Sequence, residues 1–494
     1  MRSRWLAAPC AAALVALGGC ATASRAFQCP NAGGPPWREL TSDHFVLRTD
    51  LPEPEAGQLL GKVERLHAAI AAGLPGATEP PSGRSEVIAF RTLEEFRPFS
   101  PDKALGYYVR YEGGPPRIVV PGEIGPWQHG MLAHEITHDF LANAYQRQPR
   151  WFAEGLAVYM ESVEEASEGR IVVGGKPSPD RLERVRASRV PVRELLAWEG
   201  AAGSRPALDY YASSWLLVHW LVHERPDAFA EIRRLLLEGV PPDEAWRAAL
   251  PEHDPERGGA ADALDGVLAA YARGTLATRS AEARAVPAVG YFDRPIPTPE
   301  VHAIRLAIWQ FGPRKGEAAL RSEVAEILAE DAAHPIGLEY LSVLDRTDPA
   351  PLARRAVAGH PDDARAHTFL AEALRGTRHT AEREAALRRA VELSPGNPAA
   401  LHNLAQALLA DGRSGEALPL ARRAARLAPW SPFVLAGYAE VLADLGQCST
   451  AIAVQQRAID AIPDGASADG RRTILSRLTA LEDQCRVALQ GAAR

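Results

Sequence analysis

Proline recurs every 34 residues near the C-terminus of this chain, at Pro361, Pro395, Pro429 and Pro463. Between successive prolines the sequence reads as two short amphipathic helices joined by a turn. Proline lacks an N–H and its ring clashes with the preceding turn, so it ends a helix without continuing it. A unit of this length cannot bury its apolar face alone and must stack on its neighbours. The period commits this part of the chain to an all-α solenoid.

The small and apolar positions within the units resemble those of tetratricopeptide repeats. In the second unit these are Leu401, Leu404, Ala405, Leu408, Ala417 and Ala424. In the third they are Leu435, Tyr438, Ala439, Leu442, Ala451 and Ala458. The first unit departs from the pattern, with Arg383 where alanine is usual. The resemblance places three repeats over 361–467, a capping helix and tail over 468–494, and degenerate helical repeats over 301–360. It implies a concave surface for a protein partner or for substrate.

The N-terminus carries a different signal. Arg2 and Arg4 precede an apolar stretch from Trp5 to Leu17, too short to span a bilayer comfortably. Leu17-Gly18-Gly19-Cys20 follows and resembles a bacterial lipobox. The resemblance implies a lipoprotein signal peptide over 1–19, lipidation of Cys20, a tether over 20–36, and membrane attachment through the lipid anchor. With Ala21 after the cysteine, an outer-membrane destination facing periplasm or exterior is expected. Ordinary secretion with cleavage near Ala21-Thr22-Ala23 is the other reading. Export would place the mature chain where disulfides persist. Cys448 lies near the start of one predicted helix and Cys485 near the end of the next, so the two meet in an antiparallel pair. A Cys448–Cys485 disulfide is expected, with Cys29 left over; buried free thiols are the alternative.

The 494 residues exceed one ordinary domain. A formal charge of −7 argues against a nucleic-acid partner, which calls for a basic surface. Residues 37–250 read as an α+β domain. Short strands are expected at Phe45–Leu47 and Val87–Phe90, with a hairpin of Tyr107–Tyr111 and Arg117–Val120, and helices thereafter. Residues 251–300 are rich in Pro, Gly and Ala and read as a linker holding one helix near Ala261–Arg273.

The chemistry centres on His134-Glu135-Ile136-Thr137-His138. Histidines at i and i+4 lie one above the other on a helix, so both imidazoles reach one cation, while the adjacent Glu reaches water. Eleven residues on begins Pro149-Arg150-Trp151-Phe152-Ala153-Glu154-Gly155-Leu156-Ala157. Together the two motifs resemble the gluzincin zinc metallopeptidases, in particular the peptidase MA-like group. The resemblance covers about residues 37–240 and includes Asn143, five residues past the second histidine. It implies a gluzincin-like metallopeptidase domain with one zinc ion held by His134, His138 and Glu154, an open fourth position, and Glu135 as general base and then acid. Small residues beside Glu154, at Gly155 and Ala157, suit close helix packing.

The stretch Tyr210-Tyr211-Ala212-Ser213-Ser214-Trp215 resembles a downstream segment of the same group. It implies an oxyanion donor, with Tyr211 first and Tyr210 second, against a plain core tyrosine. His219 and His223 share i,i+4 spacing but lack an intervening Glu, and read as buried helix. The resemblance also offers the backbone of Ile118–Val120 for pairing with extended substrate, against a plain core strand. The expected function is hydrolysis of a peptide or protein substrate by a zinc peptidase. The alternative is an inactive metallopeptidase fold that acts in the cell envelope as a scaffold through its repeats.

Overall fold

A computed structural model describes residues 27–75, 83–101, 104–110, 114–122, 126–145, 148–165, 170–173, 176, 178–198, 205–282, 289–310, 316–462 and 468–492. The signal segment, Cys20, the start of the tether and Pro463 lie outside the described residues. No helix among those described is long and apolar enough to cross a membrane.

The first domain is built on a six-stranded mixed sheet. Its strands are β1 (Trp37–Thr41), β2 (Phe45–Thr49), β3 (Ser85–Phe90), β4 (Tyr107–Val109), β5 (Arg117–Pro121) and a late strand, Phe292–Ile296. The spatial order is β4-β5-β3-β2-β1 and then the late strand. β2, β3 and β5 run parallel, and the outer pairings are antiparallel. All six residues of β3 are buried, as a central parallel strand covered on both faces requires.

Two cores lie on the two faces of this sheet. Val87, Ala89, Ile118 and Val120 point into one, with α1 (Glu53–Gly73) and the helix of the histidine motif. Ile88, Phe90 and Val119 point into the other. There they meet the short α2 (Leu93–Phe96) and residues Val301, Ile304, Leu306, Ile308, Val324 and Ile327.

The helices around the first core follow in chain order as α3 (Pro126–Ala144), α4 (Arg150–Met160), α5 (Pro179–Ala187), α6 (Val192–Leu196), α7 (Ala207–Glu224), α8 (Pro226–Leu237), α9 (Pro242–Ala249) and α10 (Ala260–Tyr271). On α3, Leu132, Ala133, Ile136, Phe140 and Leu141 form the buried stripe of an amphipathic helix. From Trp151 to Met160 every residue of α4 is buried. A Cβ on Gly155 would sit 2.5 Å from Val218 Cγ2 and 2.6 Å from the Ser214 carbonyl oxygen, so α4 and α7 pass in near backbone contact. A small second sheet joins β6 (Glu164–Glu165), β7 (Arg170–Val173) and β8 (Arg279–Glu282). The late strand is therefore β9.

Two sequence expectations need correction, and the two readings of Ile118–Val120 resolve in favour of the plain core strand. The segment 251–300 is more than a linker, because β9 pairs along the whole length of β1 and completes the sheet. The segment 301–360 opens with α11 (Thr298–Trp309) and α12 (Glu317–Glu330), which close the second face of the sheet. Ile118–Val120 cannot accept a peptide strand, because β5 is paired on one side by β3 and on the other by β4. The sheet edge on that side belongs to β4.

Beyond these, helices run in antiparallel succession: α13 (Pro335–Asp345), α14 (Pro349–Gly359), α15 (Ala364–Ala373), α16 (Thr380–Leu393), α17 (Pro398–Ala410), α18 (Ser414–Leu427), α19 (Pro432–Asp444), α20 (Cys448–Asp460) and α21 (Ala468–Ala492). The recurring prolines have a defined place. Each of Pro361, Pro395 and Pro429 is the second residue of a four-residue turn. Each turn is closed by backbone bonds from Asp363, Asn397 and Ser431 to the carbonyls of His360, Ser394 and Ala428. The fourth residue of each turn caps the next helix with its side chain. Ala417, Ala424, Ala451 and Ala458 are fully buried where paired helices touch. Cys448 and Cys485 form a disulfide joining α20 to α21, with Cα atoms 5.5 Å apart.

Candidate metal centre

The site lies where α3, α4 and α7 converge. α3 presents His134 and His138 one turn apart, with imidazole Nε2 atoms 3.1 Å from each other. α4 brings in Glu154, whose Oε2 lies 3.4 Å from His134 Nε2 and 3.5 Å from His138 Nε2. That oxygen is buried and accepts no hydrogen bond. A buried carboxylate oxygen without a hydrogen bond is costly unless a cation satisfies it.

The triangle tests the fit of an ion. Zinc bonds of about 2.0–2.1 Å in tetrahedral geometry require neighbouring ligand atoms roughly 3.3 Å apart. The three observed edges bracket that length, and two neutral imidazoles with one carboxylate are a donor set zinc accepts. The residues fit the ion.

The surroundings hold these groups in place. His134 Nδ1 lies 2.9 Å from the Glu161 carboxylate, which Arg181 grips through both oxygens. A carboxylate behind the second ring nitrogen fixes the tautomer that leaves Nε2 free to ligate. Burial lowers the His134 pKa, but Glu154 and Glu161 outweigh it and push the pKa up to about 10, so an ion binding at Nε2 would displace a proton from this ring. Burial raises the Glu154 pKa, but the two imidazoles outweigh it and hold the carboxyl well below its ordinary range. Glu135 is 7% exposed, and burial leads in raising its pKa, which favours a group that takes up a proton.

Tyr211 and Tyr210 separate cleanly. The Tyr211 ring meets the His134 ring edge-on at 6.3 Å, on the site side of α7. Tyr210 is buried, stacks on Trp198 at 4.8 Å and donates its hydroxyl to Glu194. Tyr210 thus packs into the wall, and Tyr211 faces the cluster of His134, His138 and Glu154. Arg150 lies over the Trp198 ring at 4.9 Å, with its guanidinium 3.5 Å from Glu154 Oε1.

Other histidines have local duties. His219 Nδ1 meets the Tyr271 hydroxyl at 2.8 Å and its Nε2 meets the Ala277 carbonyl at 3.1 Å. His223 Nε2 meets the Tyr159 hydroxyl at 3.0 Å. Asp139, next to His138, accepts from Ser85 Oγ at 2.5 Å and from the Tyr108 hydroxyl at 3.0 Å, tying α3 to β3 and β4.

Glu161, Arg181 and Arg150 escaped the motif reading. Glu161 sits seven residues after Glu154, two helical turns along the same face, and that spacing was the available signal.

A separate cavity of about 1220 Å³ lies between the sheet domain and the repeats. Arg84, Glu86 and Arg117 line it from one side, and Arg365, Asn397 and Trp430 from the other. Arg110 stacks over Trp430 at 5.2 Å across the two parts. None of His134, Glu135, His138 or Glu154 lines this cavity.

Residues 129–242 match a family model described as a protein of unknown function, DUF1570. Residues 386–418 match a tetratricopeptide repeat model. No curated protein matches the chain. Among solved structures, one described as MamA protein shares 16% identity at a TM-score of 0.26, covering 33% of this chain and 88% of that one. A thermophilic tetratricopeptide protein from Thermus thermophilus shares 19% identity at 0.29, covering 37% and 97%. Pseudomonas aeruginosa pilF shares 16% identity at 0.30, covering 38% and 87%. The C-terminal array is one of tetratricopeptide repeats, an architecture suited to holding a protein partner.

Proposed function

We propose that this protein is a zinc-dependent peptidase, exported and lipid-anchored through Cys20, whose repeats hold a protein partner or substrate. One observation carries the catalytic part: Nε2 of His134, Nε2 of His138 and Oε2 of Glu154 converge on edges of 3.1, 3.4 and 3.5 Å beside a buried Glu135. His134, His138 and Glu154 would hold one zinc ion, which supplies Lewis-acid polarisation of a peptide carbonyl and makes water a better nucleophile. Glu135 takes the proton from the attacking water onto its carboxylate and delivers it to the leaving amine. The Tyr211 hydroxyl donates to the oxygen that gains charge as the carbonyl carbon becomes tetrahedral. Arg150 and Trp198 hold that wall of the site.

The tetratricopeptide match favours a second reading, an inactive metallopeptidase fold working in the cell envelope as a scaffold through its repeats. One experiment separates the two. Zinc content is measured for the full chain and for Glu135→Gln, and both are incubated with an unbiased peptide library. The peptidase reading expects one zinc at the His134 site in each and cleavage by wild type alone. Equal cleavage, or none, leaves the scaffold. Wild type without zinc at this site removes the metal as well.

A further inference from the structure

We propose a second divalent-metal site, formed by Cys29, His302 and Glu326, that fastens the segment after residue 26 to the junction between the sheet domain and the repeats. Cys29 Sγ lies 3.3 Å from His302 Nε2, and a Glu326 carboxylate oxygen comes within 4.8 Å of both. The three residues come from distant stretches of sequence. Cys29 precedes a short 3-10 turn at Pro30–Ala32, His302 sits on α11 and Glu326 on α12.

The imidazole is prepared as a ligand. His302 is 3% exposed and its Nδ1 faces the Glu323 carboxylate. That carboxylate is itself held by Arg305 through Nε at 3.0 Å and Nη2 at 2.8 Å. An imidazole that donates Nδ1–H to a carboxylate turns a lone pair on Nε2 toward whatever lies opposite, the arrangement found behind metal-bound histidines. Opposite here is a thiol. For zinc, with bonds of about 2.3 Å to sulfur and 2.0–2.1 Å to nitrogen, the tetrahedral S···N edge is roughly 3.5 Å, close to the observed separation.

The ligand chemistry is one thiolate, one neutral imidazole and one carboxylate, a set for zinc or another borderline-soft divalent ion. Phe27 covers the group, with the Arg305 guanidinium 3.5 Å from its ring and the His302 ring edge-on at 5.7 Å. Asn31 bonds to Thr298 Oγ1 and to Glu330 beside it. The segment 27–33 is thereby latched to α11 and α12, and the ion adds a bond set that the thiol alone cannot make.

The test uses the full chain, stripped by a chelator and titrated with Co²⁺ alone under argon. The His134 site holds no sulfur, so a thiolate-to-cobalt absorption in the near ultraviolet reports the second site independently of the first. Wild type is expected to take two equivalents and show that absorption. Cys29→Ser should take one equivalent and lose it. The double variant His134→Ala/His138→Ala should take one and keep it. His302→Gln should weaken the absorbing site by at least tenfold. Absence of thiolate absorption in wild type, its survival in Cys29→Ser, or an unchanged titration of His302→Gln overturns the proposal and leaves a plain thiol–imidazole hydrogen bond.

Discussion

The Glu161 carboxylate lies 2.9 Å from His134 Nδ1, while Nε2 of the same ring faces Glu154. Glu161 would therefore act on a metal ion at this site through His134 and not by contact. Replacing it with Gln removes the charge behind the imidazole and frees Arg181. Losses of about 10–100-fold in metal affinity follow from breaking such a pair. Competition with a chromophoric chelator should show that weakening for Glu161→Gln. An unchanged affinity would mean that the contact only anchors α5.

Gly155 sets the distance between Glu154 and α7. A methyl group there would lie 2.6 Å from the Ser214 carbonyl oxygen, which is backbone and cannot rotate away. Gly155→Ala must push α4 off α7 and carry Glu154 with it. Overpacking of this kind costs about 1–3 kcal/mol. Thermal unfolding should shift down and zinc affinity should fall together. A drop in stability with zinc affinity intact would show that Glu154 follows its ligand partners and not its helix.

The parts of the site that were legible in the sequence are local. His134 and His138 are fixed by one helical turn, and Glu154 lies on the next helix, eleven residues of α4 that are almost wholly buried. The 34-residue period announced the repeats because each unit copies the same turn and cap, seen at Asp363, Asn397 and Ser431. β9 escaped because its residues show no alternation: Phe292, Asp293, Arg294 and Pro295 are all exposed, and its pairing with β1 spans some 250 residues of chain. α11 and α12 looked like the first members of the array because their helical period is the same. What sets them apart is the sheet face that they cover, and no local pattern reports that.

The disulfide should matter to the end of the array and not to the metal site. Cys448 and Cys485 are buried in the core shared by α19, α20 and α21, separate from the core around α3 and α4. Closing a loop with a sequence separation of 37 stabilises by about 2–4 kcal/mol, chiefly by restricting the unfolded chain. Cys448→Ser/Cys485→Ser should lower the urea midpoint of an early transition assigned to the last repeats. Zinc content at the His134 site should stay the same. Loss of zinc in that variant would show that the array and the site unfold as one unit.

His67 predicts an acid-side loss of stability. It is 5% exposed on α1, stacked against His44 at 4.1 Å and tilted against Phe140 of α3 at 4.9 Å. Burial, with the neighbouring His44, pushes its pKa from the ordinary 6.5 down to about 4, and Glu64 only partly opposes this. The folded state therefore keeps the ring neutral where the unfolded chain protonates it. The stabilising contribution is complete above pH 6.5 and is lost as the pH falls toward about 4. It amounts to about 3 kcal/mol at full extent. Asp50 works in the opposite sense, because burial raises its pKa to about 6 and its contribution fades as the pH rises through that value. The comparison is therefore wild type against His67→Gln, with unfolding free energy measured across this range. The difference between them should shrink as the pH falls, and a constant difference would place the acid sensitivity elsewhere.

Tyr211 supplies the sharpest separation between a working site and a merely metal-binding one. Its ring stands edge-on to His134, with the Arg150 guanidinium beside its hydroxyl. Burial leads in raising its pKa, so the hydroxyl keeps its proton at neutral pH and remains a donor. Tyr211→Phe leaves the ring packing against Trp198 in place and removes the hydroxyl, both as a donor and as the partner of the Arg150 guanidinium. Zinc stoichiometry and thermal stability should be unchanged. On any peptide the wild type cleaves, kcat should fall by about 10²–10³ with little change in KM, the signature of an interaction made only in the transition state. If KM rises and kcat holds, Tyr211 binds substrate in the ground state. If neither moves, the oxyanion is stabilised by another group, and Tyr211 is a wall of the site like Tyr210 beside it.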